Sequence, residues 1–548
     1  MHTATAKRVR SVRPVGTRAV LAELDGLQDV LALQDMLNKS PLPGQVDVLA
    51  AAETVMVVGE SAAATRAIGA RLLELELFAP EVTDSGLVVI DTVYDGEDLA
   101  DVAELTGLSL EGVVAAHTGQ VWTVAFAGFA PGFGYMVSEN EALTVPRRSS
   151  PRTAVPAGSV ALGGQYSAVY PRRSPGGWQL IGRTGARMWD LDRAQPALVR
   201  PGDRVQYRAV REVVTASDSP VGEPDKEHHT ESGLRILNPG AQSLIQDLGR
   251  RGYGALGVSA AGALDRASLR RANRLVGNAA SAAAIESVNG GLTVEAVGDQ
   301  VVAVTGAPVA LTIESPSWVG SDDGDVQPGA SRTVPMAAPF ALLDGEVLTL
   351  GAPESGFRNY VAIRGGVDVP QVLGSRSADT MSGIGPAPLV IRQVLNAGDH
   401  TASTAVGAPE LQPDFPGTGV TVLDVVPGPR ADWFNQEALD SLCSQEWLVT
   451  PQSNRVGMRL DGTPLKRTRE GELPSEGTMA GALQIPPAGL PVLFLADHPI
   501  TGGYPVIGVV RDEHLDLAAQ VPLGGKIRFR FVPDSPDAST TFTKTPEK

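Results

Sequence analysis

The sequence predicts a mainly β protein with an α+β opening, divided into several compact units. Three observations carry this. The chain has 548 residues, and at roughly 100–200 residues per domain a single hydrophobic core cannot hold it. Its 61 glycines and 41 prolines accompany an ordinary 43% hydrophobic content, so turns are abundant while cores can still be filled. Most apolar runs are short and bounded by Gly or Pro, the texture of strands in small barrels or sandwiches.

The chain opens with Lys7, Arg8, Arg10, Arg13 and Arg18 and no acid before residue 20. No apolar stretch follows them, so a targeting segment is not expected; RSVRPVGTRAVLAEL instead runs into an alternating, strand-like pattern. In LQDVLALQDMLNKSPLPG, residues 27–44, Leu27, Val30, Leu31 and Leu37 recur at helical spacing, and Pro41 with Gly44 ends the helix. VDVLAA and VMVV read as strands, and ATRAIGARLLELEL as a second helix. From about residue 121, VWTVAF, SVALGG, SAVYP and WQLIG alternate with Gly/Pro turns. VVAVTG, EVLTLG, YVAIRGG, TVLDVV, PVLFLA and VIGVV repeat that texture in the second half without a fixed period, which excludes a solenoid or propeller. The stretch 215–233 is polar, charged and Pro/Gly-bearing, a linker with almost nothing to bury. A second break is expected at 407–419, where three prolines interrupt the pattern, and the tail 533–548 has disordered composition.

Charge and cysteine content exclude several function classes. Lys+Arg 45 against Asp+Glu 62 leaves a net charge of −17, which argues against nucleic acid or an anionic membrane as partner. No apolar run approaches the eighteen or so residues of a membrane span. Cys443 stands alone, so an internal disulfide, a CxxC pair or a cysteine-based zinc site is impossible, and a reducing, cytoplasmic setting is expected. Its context, ALDSLCSQEW, reads as a helix that packs a small side chain.

No phosphate loop of the GxxxxGK[ST] type, no GxGxxG, no HExxH and no GxSxG occurs. No methionine precedes a lysine, so the chain carries no covalent biotin. Of the histidines, His2, His228 and His229 lie in a terminus and the linker, and His400 and His514 have no suggestive context. His117 ends a short helix begun near Ser109 and either packs there or serves a site; His498 follows the apolar run PVLFLAD, where strand ends present functional groups. Between 141 and 200 stand Arg147, Arg148, Arg152, Arg172, Arg173, Arg183, Arg187, Arg193 and Arg200 against Glu141, Asp190 and Asp192. A segment with Arg and no Lys suits bidentate contact with carboxylate or phosphate, or else a subunit interface or a salt-bridged barrel face.

HTGQVWTVAFAGFAPGFGYM (117–136) and VPRRSSPRTAVPAGSVALGGQYSAVYPRRSPGGWQLIGRT (145–184) closely resemble the B subunit of bacterial 5-oxoprolinase. LNPGAQSLIQDLGRRGYGALGVSAAGALDRASLRRANRLVGN, VAIRGGVDVPQVLGSRS, SNRVGMRLDG and MAGALQIPPAGLPVLFLADHPITGGYP resemble its C subunit. The two families also go under allophanate hydrolase subunits 1 and 2, kinase inhibitor, and biotin-dependent carboxyltransferase domain. The resemblance spans about residues 8–532 and implies a B–C fusion of cyclophilin-like β-barrels. The expected units are an α+β domain at 1–98, a barrel at 99–214, the linker 215–233, C-like barrels at 234–406 and 407–532, and the tail 533–548.

The resemblance further implies ATP-dependent opening of 5-oxo-L-proline to L-glutamate with a separate A subunit. An unstrained amide is a poor electrophile, and phosphorylating its oxygen creates a leaving group, so ATP with Mg is implied as cofactor. Related domains form the carboxyltransferase part of urea carboxylase, where the C-like module comes first and a biotin carrier is present. Non-catalytic inhibition of a sensor kinase is a third reading, and a homo-oligomer stays open.

FAGFAPGFGYM places Gly128, Pro131, Gly132 and Gly134 in a loop after a strand, either a ligand-approach loop or a plain β-turn, with His117 for proton transfer and Arg152, Gln165, Tyr170 and Arg183 around it. In the C-like half Gln246, Asp247, Arg250, Asp265, Asn273 and Glu286 mix donors, acceptors and possible magnesium ligands, or in part cap and bridge backbone; Arg455, Arg459, Gln484, Asp497, His498 and Tyr504 make the last group. His117, Asp247, Asp265 and His498 are the expected catalytic groups, and the metal ligands are unknown. Where the family often shows DRQTTGGYP this chain has DHPITGGYP, which puts His498 in place of an arginine.

Overall fold

The computed structural model describes residues 7–78, 86–148, 150, 152–212, 232–319, 326–327, 329–471 and 473–533. Nearly all of the expected linker, the tail, His2, His228 and His229 lie outside these residues. The N-terminal unit is a four-stranded antiparallel sheet in the order Ser11–Val15, Ala19–Glu23, Thr54–Gly59, Gln45–Ala50. The expected helix runs Leu27–Lys39, stopped just ahead of Pro41, and packs Val30, Leu33 and Leu37 under the sheet. The second helix, Ala62–Leu72, is capped by Ser61, whose side chain accepts from Ala64 N at 3.1 Å. It ends sooner than its apolar pattern predicts, because Glu76–Leu77 leaves to pair with Lys7–Arg8.

The next sheet has seven strands in the order Gln179–Arg183, Ser159–Gly163, Tyr166–Val169, Gly134–Val137, Trp122–Ala127, Arg204–Ala209, Val88–Thr92. Strand Val88–Thr92, on the N-terminal side of the expected boundary at 98, joins here by parallel pairing with Arg204–Ala209. In the C-like half a seven-stranded and a five-stranded sheet enclose a common core that includes Ile236, Val294, Leu348, Ile285, Val302 and Val361. The last unit is a closed seven-stranded barrel from Val420–Pro427 to Lys526–Phe531 around Leu423, Trp447, Leu483, Leu493 and Phe529. The chain is thus mostly β with barrel-like sheets.

The two halves share a hydrophobic core. Val15, Ala19, Leu21, Leu49 and Met56 of the N-terminal sheet cluster with Val426, Phe494, Ile500, Val506 and Val509 of the last barrel. Burial of side chains this size stabilises by about 1.5–3 kcal/mol each, so the units are not free beads on a string. Charge pairing seals the same seam: Arg430 Nη1 donates to Glu23 Oε1 at 2.6 Å and its Nε to Glu476 Oε1 at 2.9 Å. Burial alone would raise the Glu23 carboxyl; Ser11 and Arg430 outweigh it and hold it at about 2.

Candidate functional site: an aromatic cleft between the halves

The strand Trp122–Ala127 turns back into Gly134–Val137 through the loop Gly128–Phe133. Gly132 has φ +77°, and a Cβ there would meet Met188 O at 2.8 Å, so only glycine fits. Gly132 N also donates to Leu256 O at 3.3 Å, across to the C-like half. Gly134 packs against Val199 and Val124, and the Pro131 backbone lies against Gly257. The loop is therefore a docking element between halves, and it turns Phe129 and Phe133 toward a cleft of about 1130 Å³.

Aromatic rings form the cleft's floor. Phe133 meets Tyr135, Tyr170 and Trp178 edge to face with centroids 5.0, 5.3 and 5.5 Å apart, and Tyr166 stacks on Trp178 at 6.5 Å. Such geometries satisfy the ring quadrupoles. Two glycines permit it: a Cβ on Gly163 would lie 2.6 Å from the Trp178 ring, and one on Gly176 2.2 Å from the Tyr170 hydroxyl. Burial, against weaker pulls from Arg147 and Arg152, pushes the Tyr170 phenol up to about 12, so it stays a neutral hydrogen-bonding group at physiological pH.

The rim is cationic. Arg147 is exposed, with its guanidinium 5.9 Å from the Trp178 centroid, and no described residue gives it a hydrogen bond or ion pair. Arg148 also lines the cleft, but its Nη1 is bound to Asp98 Oδ1 at 2.6 Å. Leu473, Pro474, Ser475 and Tyr504 close the cleft from the C-like half, and Ser475 O accepts from Ala52 N at 3.1 Å. Of the residues expected from sequence, Gln165, Tyr170 and Tyr504 meet here.

The remaining B-like expectations go elsewhere. His117 is fully enclosed, its Nδ1 2.7 Å from Tyr94 OH and its Nε2 2.9 Å from Ser167 Oγ. Burial drives its pKa down to about 3. In this structure the imidazole is a neutral, enclosed strut inside the sheet, the packing role that its place at the end of the helix also allowed. Arg152 pairs with Asp98 at 2.8 Å and Glu97 at 3.0 Å, and Arg183 with Asp95 at 2.8 Å. Arg187 and Arg193 sit within 4 Å of Asp190. Much of the arginine segment is thus a salt-bridged barrel face, because Asp95, Glu97 and Asp98 reach it from outside the 141–200 window.

In the C-like half most expected residues build one enclosed network. Arg455 donates Nε and Nη2 to Asp497 at 3.0 and 2.9 Å, Nη2 to Gly262 O at 2.6 Å, and Nη1 to Glu286. Glu286 Oε2 also accepts from Tyr360 OH at 2.6 Å and Leu264 N at 3.0 Å. Asp497 Oδ2 takes Thr380 N and Oγ1 at 2.9 and 2.7 Å. Asp265 caps the helix Arg266–Leu275 through Ser268 N at 2.9 Å, and Gln520 Nε2 holds its other oxygen at 2.7 Å. Asp247 ties down the loop 375–377 through Ser375 Oγ and Ser377 Oγ, both at 2.6 Å, and Arg376 N at 2.7 Å. Asn273 bonds Ala282 O at 2.8 Å, and Gln484 bonds Tyr504 O at 3.1 Å behind the cleft wall. These contacts brace and cap the backbone, and neither Asp247 nor Asp265 lines the aromatic cleft.

Gln246 and Arg250 are enclosed too, each with one unpartnered atom, Oε1 and Nη1. His498 stacks on Phe494 at 5.9 Å and bonds Pro499 O through Nδ1 at 2.9 Å, away from the aromatic cleft. Arg459 is exposed. Sequence reasoning missed Phe129, Phe133, Tyr135, Tyr166 and Trp178, and named Arg147 only as one of nine arginines in the basic segment. The signal was available: in a chain with only 5% aromatic residues, these rings crowd into 129–178.

Among the described residues no three His, Cys, Asp or Glu side chains come together as a metal cage, and no helix is long and apolar enough to cross a membrane. Two barrel-like halves that share a core and a cleft define a two-part domain of the carboxyltransferase type. The chain belongs to that family: residues 256–531 match the carboxyltransferase domain, subdomain A and B, and residues 10–199 match subdomain C and D. It is 37% identical over 301 residues to the C subunit of 5-oxoprolinase from Escherichia coli (strain K12), covering 54% of this chain and 90% of that protein. It is 46% identical over 144 residues to the B subunit of 5-oxoprolinase from Escherichia coli O157:H7, covering 26% of this chain and 65% of that protein. Urea amidolyase of Saccharomyces cerevisiae is 31% identical over 335 residues, 57% of this chain but 17% of that protein. The crystal structure of TTHA0988 superposes with a TM-score of 0.82 at 33% identity, covering 94% of this chain and 99% of that one. The expected B–C fusion is what the relatives show.

Proposed function

We propose that this chain is the fused B–C component of an ATP-dependent 5-oxoprolinase, a hydrolase that works in the cytoplasm with a separate A subunit. The observation that carries the reading is the cleft itself, closed by the B-like floor and the C-like residues Leu473–Ser475 and Tyr504. A fusion of two subunits makes functional sense if the substrate lies between them. A flat five-membered lactam suits the faces of Trp178 and Tyr166, and its carboxylate suits the free guanidinium of Arg147. The neutral Tyr170 hydroxyl is placed to donate to the lactam oxygen, the atom that must be activated. At about 1130 Å³ the cleft is larger than the roughly 300–1,000 Å³ usual for small-molecule sites, which leaves room for a partner residue or a nucleotide. ATP supplies the phosphoryl group that turns the lactam oxygen into a leaving group. Any Mg would arrive on the nucleotide phosphates, since Mg usually binds through one or two carboxylates plus phosphate.

The test is glutamate release from 5-oxo-L-proline by the full chain, ATP and an A-type subunit. All three should be required, and Arg147→Gln should raise KM at least tenfold with little change in stability. Absence of glutamate with every A-type subunit tried would sink the reading. The urea amidolyase similarity favours a second reading, a carboxyltransferase; discharge of carboxybiotin to urea by this chain would establish it instead.

A further inference from the structure

A second cavity, of about 140 Å³, lies on the seam between the N-terminal sheet, the turn after Arg250 and the last barrel. Three arginines line it: Arg18, Arg251 and Arg266. Arg18 is committed, with Nε on Gly59 O at 3.2 Å and Nη1 on Asp512 Oδ2 at 3.2 Å. Among the described residues, neither the Arg251 nor the Arg266 guanidinium makes a hydrogen bond or an ion pair. The carboxylates nearby are already engaged. Asp512 takes Arg18, Asp47 Oδ2 accepts Gly252 N and Gly254 N at 3.2 Å each, and Asp516 accepts Arg266 N at 2.8 Å and Ala267 N at 3.2 Å. Ser259 and Thr478 have spent their hydroxyls on Asp379 and Pro499.

What remains is two guanidiniums with unused donors: burial weakens the protonation of Arg266 most, Arg251 next and Arg270 least, while Asp516 and Asp512 strengthen it. Asp47 and Asp512 line the same cavity and offset part of the arginine charge, but they do not occupy these donors, which stay open to a further anion. Arginine forks match the geometry of phosphate oxygens. At about 30 Å³ per water molecule, the cavity holds a tetrahedral oxyanion but no nucleoside.

We propose that this crevice binds a phosphate-class oxyanion, held by Arg251 and Arg266 with Arg18 behind them. The anion is either free phosphate or the terminal phosphoryl group of a nucleotide. The site is separate from the aromatic cleft and does not depend on the lactam reading.

Calorimetric titration of the full chain tests it, first with inorganic phosphate and then with ADP and ATP. Saturable binding is expected, weakened at least tenfold in Arg251→Gln and in Arg266→Gln and unchanged in Arg528→Gln, an exposed arginine paired to Glu446. Nucleotide that displaces phosphate, or that binds alone with the same dependence on Arg251, identifies the phosphoryl source as the nucleotide. Phosphate binding undisturbed by nucleotide identifies free phosphate. If neither ligand binds, or both variants bind as the unmodified chain does, the proposal falls. Arg251 is exposed, so its variant keeps the test valid even if Arg266→Gln fails to fold.

Discussion

Arg455 clamps Asp497 with two hydrogen bonds, Nε to Oδ2 at 3.0 Å and Nη2 to Oδ1 at 2.9 Å, and both side chains are enclosed. The same guanidinium reaches Glu286, so one cation ties the two-sheet unit to the closed barrel. Replacing Arg455 with methionine leaves Asp497 without its counter-charge and Glu286 with only Arg358, 3.9 Å away, in a dry interior. Breaking such a pair costs about 3–5 kcal/mol, and denaturant unfolding of Arg455→Met should show a loss of that size. Arg459→Ala, on the exposed side of the same barrel, should stay within about 0.5 kcal/mol.

Gly128 and Thr501 make a sharper test of how the halves dock. A methyl at Gly128 would sit 2.1 Å from Thr501 Oγ1, and overpacking of this kind costs about 1–3 kcal/mol. Gly128→Ala should therefore destabilise the chain, and adding Thr501→Ala should restore part of the loss. A double-mutant cycle that shows simple additivity would mean that the loop and strand do not press on each other.

The enclosed His117 predicts a one-sided acid sensitivity. Its folded pKa of about 3 lies below the ordinary 6.5 because burial disfavours the imidazolium. Between those values the unfolded chain binds the proton and the folded chain does not. The stability it contributes is complete above pH 6.5 and declines as pH falls toward 3. Proton-detected titration should keep this ring neutral to below pH 4, and no inflection of activity near pH 6.5 should trace to it.

Asp47 works in the opposite direction. Burial raises its carboxyl to about 6 against hydrogen bonds from Gly254, Val48 and Gly252, so between 3.8 and 6 the folded state holds the extra proton. Its favourable contribution is present below pH 3.8 and is lost as pH rises through 6. Asp47→Asn keeps an acceptor for the same amides and removes the charge. Its unfolding midpoint should exceed that of the unmodified chain above pH 6, and the gap should close below pH 4.

Much of the fold was legible because local signals agreed with one another. The helix Leu27–Lys39 lies where apolar spacing and Pro41 put it, Ser109 caps Leu110–Thr118, and VWTVAF, VVAVTG and VIGVV became strands. The site was legible only in part. Gln165, Tyr170 and Tyr504 line the cleft, while Arg152 and Arg183 turned to Asp98 and Asp95. Those acids lie more than fifty residues away, so a charge count within 141–200 could not see them.

By itself the sequence determined that this is a multi-unit, β-rich, acidic chain with one cysteine, whose two halves resemble two subunits joined end to end. Residue type, spacing and turn chemistry are local properties and survive without a fold. Only the tertiary structure decided that Val15, Leu21 and Met56 share a core with Val426, Phe494 and Val509. It alone placed His117 and Asp265 in bracing roles and gathered Phe133, Tyr170 and Trp178 under Tyr504. A side chain's burial and partners depend on residues hundreds of positions distant, and those set whether it is a strut or a ligand group.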